Sequence, residues 1–181
     1  MPASAIRRLV LLRHAKSAWP DVPDHERPLA GRGRRDAPVL GRWLQVTGSR
    51  PDQVVCSTTQ RTRQTWQLAA AELDAPPPVS YDDRVYGATA ADLLDLARQA
   101  GPEVRSLMFV GHDPGLPDLA LALGGAGSDM AALGRLRAKF PTAAIAVLTF
   151  AGDWPDLAPE RARLIAFVTP ADLRAELTGE P

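Results

Sequence analysis

A chain of 181 residues with 21 basic and 21 acidic side chains has no net formal charge, so its overall field draws it to neither nucleic acid nor an anionic membrane. Its 45% hydrophobic and 23% charged residues suit a folded globular chain, read as a single domain over 1–181, and no stretch approaches the roughly 20 apolar residues of a membrane span. A lone cysteine, Cys56, excludes an internal disulfide, and residues 1–8 read as neither signal nor anchor, so the expected compartment is the cytoplasm.

Taken in order, Leu9-Val10-Leu11-Leu12 has the length and composition of a strand buried on both faces, and it runs directly into Arg13-His14-Ala15-Lys16-Ser17. A polar, proline-bearing loop over 18–30 follows, with Trp19-Pro20 and Asp21-Val22-Pro23-Asp24 as turn material. His25, flanked by Asp24 and Glu26, reads as a surface residue. Val39, Leu40, Trp43 and Leu44 predict an amphipathic helix over 34–46 that starts near Gly33, with Pro38 early enough to be tolerated. Arg32, Arg34 and Arg35 are its solvated start. Val54-Val55-Cys56 reads as a second buried strand, in which Cys56 is a small hydrophobe rather than a nucleophile. Ser57-Thr58-Thr59 then offers hydroxyls to cap a helix over 60–73. Arg61 and Arg63 fall in its first turn, where a cation opposes the helix dipole, so an anion is expected beside Arg61.

Pro76-Pro77-Pro78-Val79 is a rigid extended connection leading to Asp82-Asp83-Arg84-Val85-Tyr86-Gly87. Leu93, Leu94, Leu96 and Ala97 mark the inner face of a helix over 90–99, and 106–110 is a third apolar strand ending in Gly111-His112-Asp113-Pro114-Gly115. A short helix over 116–123, a flexible loop over 124–127 and a helix over 130–137 come next. Strands over 143–150 and 163–168 and a helix over 170–177 complete the pattern. Such alternation gives an α/β sandwich with a largely parallel sheet. Trp43 and Trp66 read as helix packing, and no internal repeat or domain-scale linker is evident.

Three strand ends therefore carry the chemistry: Arg13-His14 after Leu12, the Ser57 and Arg61 turn after Cys56, and His112 after Val110. If these strands are neighbours, two guanidiniums and two imidazoles converge on one crevice. That set suits a tetrahedral oxyanion, because a guanidinium offers phosphate oxygens a planar fork and stays charged. The chain has no Walker loop, no His-Glu-x-x-His and no ligand cluster at metal spacing, so a metal-free, cofactor-free phosphoryl reaction is expected.

The string Leu-Leu-Arg-His-Ala-Lys-Ser-Ala-Trp, followed by Asp24-His25-Glu26-Arg27-Pro28-Leu29 and Gly31-Arg32-Gly33, resembles the histidine phosphatase superfamily, nearest to its SixA-type phosphohistidine phosphatases. The resemblance continues through Ser57-x-x-x-Arg61-x-x-Gln64-Thr65 and Val110-Gly111-His112-Asp113-Pro114-Gly115-Leu116, spanning 9–116. It implies a three-layer α/β/α sandwich of the phosphoglycerate mutase-like type. It also implies that His14 is the nucleophile, forming a phosphohistidine that water hydrolyses, and that Arg13, Arg61 and His112 bind the equatorial oxygens. For this role His14 must be neutral, with its second nitrogen donating to a backbone carbonyl, and His112 serves best protonated. The chain has Arg-His-Ala where many members have Arg-His-Gly, and alanine is small enough there unless φ is positive. Lys16 and Ser17 belong to the SixA-like loop as contacts to phosphate or substrate, and Lys16 equally suits a solvated charge.

Two residues compete as general acid. Asp83 resembles the proton donor of the mutase branch and Asp113 that of the acid phosphatase branch, and each also suits a turn; Asp83 is preferred. An alkoxide leaving group needs that proton, whereas imidazole, with a pKa of about 6.5, departs with little help. An uncertain acid and the lack of a long covering insertion thus favour phosphohistidine on a protein, such as a phosphocarrier or histidine-phosphotransfer protein. The alternatives are a small-molecule phosphomonoesterase or mutase, and a non-catalytic phosphate- or partner-binding module.

Overall fold

The computed structural model describes residues 5–178; the first four residues of the segment read as neither signal nor anchor lie outside them. The elements are β1 (Ile6–Arg13), α1 (Gly31–Val46), β2 (Gln53–Cys56), α2 (Gln60–Ala70), β3 (Val79–Tyr81), α3 (Ala90–Arg98), β4 (Ser106–Gly111), α4 (Gly115–Leu123), α5 (Met130–Ala138), β5 (Ile145–Ala151), β6 (Arg163–Val168) and α6 (Pro170–Thr178). They form one sheet in the order β3-β2-β4-β1-β5-β6. β1 through β4 run parallel, while β5 is antiparallel to both β1 and β6.

Alternation along β1 sorts the core into two layers. Leu9 and Leu11 pack with α3, α4 and α5, whereas Val10 and Leu12 face α1, α2 and α6. All four are at most 1% exposed, as expected of a strand covered on both faces. The result is the expected three-layer sandwich with a mostly parallel sheet. No helix among the described residues is long and apolar enough to cross a membrane.

Register is what places the site. Leu12 pairs with Val110, and Val110 with Cys56, so three adjacent parallel strands end at one level. Arg13-His14, Ser57 and Gly111-His112 therefore leave the sheet side by side. The chain also reverses direction here, stepping outward from β1 to β2 and β3 before returning to insert β4 between them. Such a reversal opens a crevice beyond the carboxyl ends of the strands.

Two features differ from the sequence expectation. The segment read only as an extended connection includes β3, which pairs with β2 through Val54 and Val79. Three residues on a sheet edge with one half-buried side chain carry too little periodicity to be seen. Helix α1 starts at Gly31, so Pro38 lies two turns inside rather than at the start and leaves the Arg34 carbonyl without its helical donor.

Close approach explains two glycines. A Cβ on Gly33 would meet the Lys16 carbonyl oxygen at 2.1 Å, and one on Gly41 would meet that of Ala69 at 1.9 Å. Gly33 thus lets the start of α1 press against the loop after β1. Gly33→Ala should cost about 1–3 kcal/mol through this overlap, whereas Gly134→Ala, in open space within α5, should gain about 0.5–1 kcal/mol. Urea unfolding of both variants checks this, and equal shifts would contradict the packing assigned to Gly33.

Candidate active site

Beyond the ends of β1, β2 and β4 lies an open crevice of about 490 Å³ lined by Arg13, His14, Lys16, Ser17, Arg61, His112 and Asp113, together with Trp19, Arg27, Tyr86, Gly87 and Thr142. A larger cleft of about 610 Å³ opens at the opposite end of the sheet, where Ile6, Phe150, Arg161 and Arg163 line it, but it holds no histidine or cysteine. The chemistry concentrates in the smaller one.

His14 is fixed from several sides. Its backbone N–H donates to Gly111, Ala15 N–H donates to the Thr65 hydroxyl at 2.9 Å, and Ala143 N–H is shared between the carbonyls of Arg13 and His14. Ala143 sits at φ 62°, a strained conformation for a residue with a Cβ, directly after crevice-lining Thr142. The ring Nδ1 lies 2.7 Å from the Ala15 carbonyl, which can only accept, so Nδ1 carries the proton and Nε2 keeps its lone pair. Ala15 fits beside it without difficulty.

The cations are held in place too. Arg13 donates to the Phe140 carbonyl at 2.6 Å and pairs with Asp113 at 3.4 Å, while its buried Nε has no hydrogen-bond partner. Arg61, 5% exposed, donates to the Asp24 carbonyl at 2.7 Å and to its carboxylate at 3.0 Å. The anion expected beside the first turn of α2 is thus, in part, a side chain of the protein itself. Thr59, from the expected hydroxyl cluster, caps that helix. Gln64 accepts from Leu29 N–H, so the Gln64-Thr65 pair ties both loops to α2.

Several contributors were not singled out from sequence. Arg27 is buried and uses all three guanidinium nitrogens, toward Ala18, Asp24 and Ser17. Asp24 joins Arg27, Arg61 and the Tyr86 hydroxyl, which donates to it at 2.8 Å. That phenol bond first, then the two arginines, holds its carboxyl well below the usual range. His25 is not a plain surface residue: it is half-buried, 3.1 Å from the Thr58 hydroxyl and edge-on to Tyr86. The hint lay in the Asp24–Leu29 string, whose charged residues look like ordinary loop until the fold stacks them on α2.

The two histidines stand with ring centroids 5.4 Å apart, and His112 Nε2 lies 2.8 Å from the Ser57 hydroxyl. Burial pushes His14 down to about 4, helped by Arg61, Arg13 and Arg27 and opposed by the Ala15 bond. Burial pushes His112 to about 3, with His14, Arg61 and Arg13 outweighing Asp24. In the free protein His112 is therefore neutral, and an arriving anion would favour the charged ring expected of it as a phosphate-binding group. Of the two candidate acids, Asp113 lines the crevice, whereas Asp83 is exposed, accepts from Thr58 and is not among the lining residues. Lys16 is exposed at the rim and Ser17 is buried under Arg27. Cys56 is buried with its thiol pushed up to about 12 by desolvation, as a small hydrophobe should be. Among the described residues no three His, Cys, Asp or Glu side chains cluster as metal ligands.

Comparison with known proteins agrees with this geometry. Residues 9–87 match the model of the histidine phosphatase superfamily, branch 1. An uncharacterised protein of Mycobacterium tuberculosis is 44% identical over 161 residues, covering 88% of this chain and 99% of that one. The structure assigned as phosphohistidine phosphatase SixA from Nakamurella multipartitia superposes with a TM-score of 0.80 at 32% identity, covering 93% of this chain and 98% of that one. A phosphoglycerate mutase from Plasmodium falciparum shares the fold alone, with a TM-score of 0.60 at 13% identity over 90% of this chain and 91% of that one.

Two rings that ionise near 6.5 in an unfolded chain but near 4 and 3 in the folded one take up protons on unfolding as the pH falls. Their contribution to stability is full above about pH 7 and is lost progressively toward pH 3. Between pH 7 and 5, a His14→Gln/His112→Gln variant should lose about 2–4 kcal/mol less stability than the wild type in urea unfolding. Identical pH dependences would contradict neutral rings in the folded site.

Proposed function

Because the chain belongs to the histidine phosphatase superfamily, in its SixA-type group, we propose that it is a metal-independent phosphatase that removes phosphate from phosphohistidine on a protein through a covalent intermediate on His14. The observation that carries this reading is the state of His14: neutral, locked with its proton on Nδ1, and set among arginines in an open crevice. Attack by its Nε2 forms an N–P bond while the bond from phosphorus to the leaving nitrogen breaks, and the substrate imidazole departs neutral because its other ring nitrogen already carries a proton; water then displaces phosphate and returns the enzyme. Arg13 and Arg61 take the equatorial oxygens, with Arg27 adding its charge through the same network, so side-chain cations supply the electrostatic stabilisation that this reaction requires. His112, neutral in the free protein, becomes a charged donor once a dianion stands beside it.

The leaving group is read from the carboxyls. Asp113 lines the crevice but pairs with Arg13, and Asp83 bonds Thr58 outside the crevice lining, so neither carboxyl is held in the way a dedicated proton donor requires. Imidazole needs less protonation than an alkoxide, which favours phosphohistidine over an aliphatic ester. A phosphocarrier or histidine-phosphotransfer protein is the partner this chemistry fits, since an open crevice can admit a side chain that projects from a protein surface.

Three measurements test the reading. Wild type should dephosphorylate a histidine-phosphorylated carrier protein, and His14→Ala should abolish this; steady turnover of sugar phosphates with no action on the carrier would instead favour a small-molecule phosphomonoesterase. Arg61→Ala should lower kcat/KM by about 10²–10³-fold, the usual loss for one oxyanion donor. Excess EDTA should leave the rate unchanged, and loss of activity restored by a divalent cation would overturn metal independence.

A further inference from the structure

Trp19 is the most exposed large hydrophobic side chain among the described residues, at 78%, and it lines the crevice that holds His14. An indole in that position carries a hydration cost with no packing gain on its open side. Nor is it a loose side chain. The Arg27 guanidinium carbon lies 3.2 Å from the indole centroid, and that guanidinium is itself immobilised, with Nε on the Ala18 carbonyl at 3.0 Å, one amine on Asp24 at 2.9 Å and the other on Ser17 at 2.6 Å. One face of the ring is thus pinned to a buried cation and the rest is presented to solvent at the mouth of the site.

From this geometry we propose that Trp19 is a specificity-determining residue, a stacking platform for a planar, uncharged leaving group. This inference rests on the phosphatase reading of the His14 site. A ring already held on one face loses little conformational freedom when a second ring stacks on the other. A flat face held in place recognises a second flat ring through contact area, which the tetrahedral head of an alkylammonium does not offer. A neutral imidazole or an aryl ring does offer it. The platform therefore favours aromatic leaving groups over the aliphatic amine of a phosphorylated lysine, and it does so outside the groups that act on phosphorus.

The test compares phosphoimidazole and 4-nitrophenyl phosphate, both of which bring a flat ring into the bound complex, the second an uncharged one before its bond to phosphorus breaks, with phosphoramidate, which brings none. Intrinsic reactivity cancels because each substrate is compared between enzyme forms. Trp19→Ala should lower kcat/KM on the two planar substrates about five- to tenfold more than on phosphoramidate, chiefly through KM, and Trp19→Phe should restore most of that difference. An equal loss on all three substrates in both variants would overturn the proposal and leave Trp19 as a cover for Arg27, and no change on any would overturn it outright. Wild type that dephosphorylates the histidine-phosphorylated carrier protein but turns over none of the three would overturn the platform alone, whereas no action on the carrier either, or normal turnover by His14→Ala, would overturn the phosphatase reading and the platform with it.

Discussion

Asp24 is the counter-charge that lets guanidiniums share one crevice. Its carboxylate meets Arg27 on one oxygen and Arg61 and the Tyr86 hydroxyl on the other, while its carbonyl takes a further bond from Arg61. Without such a bridge, two buried cations at the mouth of the site would repel each other with little solvent to screen them. With it, their planes are fixed before any ligand arrives. The bridge is also incomplete: among the described residues Arg13 is compensated by the exposed Asp113 alone, at 3.4 Å, so the crevice keeps an excess of positive charge.

In the proposed reaction that residual charge would serve His14 as nucleophile as well as the phosphate. Protonated His14 would be inert, and the arginines that attract a dianion also disfavour that proton. Burial acts in the same direction, and the Ala15 carbonyl selects which nitrogen stays free. On the proposed reading, His14 therefore needs no general base to act as nucleophile. His112 follows the opposite course on ligand binding: cations keep it neutral in the free protein, and a phosphoryl dianion would reverse the balance at the position where extra charge is useful. Its coupling to Ser57 links that switch to the turn that begins α2.

Much of this was legible in the chain, and what was not has identifiable causes. Apolar runs at Leu9, Val54 and Leu107 ending in polar clusters disclosed the strand ends, because a strand covered on both faces has a distinctive composition. The convergence of Arg13, His14, Arg61 and His112 could be anticipated from three such ends, but their adjacency required the order β2-β4-β1, which no local signal encodes. Arg27, Asp24 and His25 were hidden for another reason. They lie in a charged loop whose composition is that of solvated turns, and only docking on α2 and Tyr86 turns them into a network in which Arg27 is buried while Asp24 stays exposed. Ala143 gave no sign at all, since its positive φ is imposed by the carbonyls of Arg13 and His14 rather than chosen by its side chain. The neutral state of His112 in the free protein was not visible either, because ionisation depends on neighbours that sequence order does not reveal.

The central claim is that His14 accepts phosphorus at Nε2. Rapid acid-free quench during turnover of a phosphorylated substrate, followed by peptide mapping and phosphorus–nitrogen coupling by NMR, reads this directly. The account predicts acid-labile phosphate on the His14 peptide alone, coupled to the Nε2 nitrogen. Phosphate on another residue, on Nδ1, or on no residue during active turnover would contradict it.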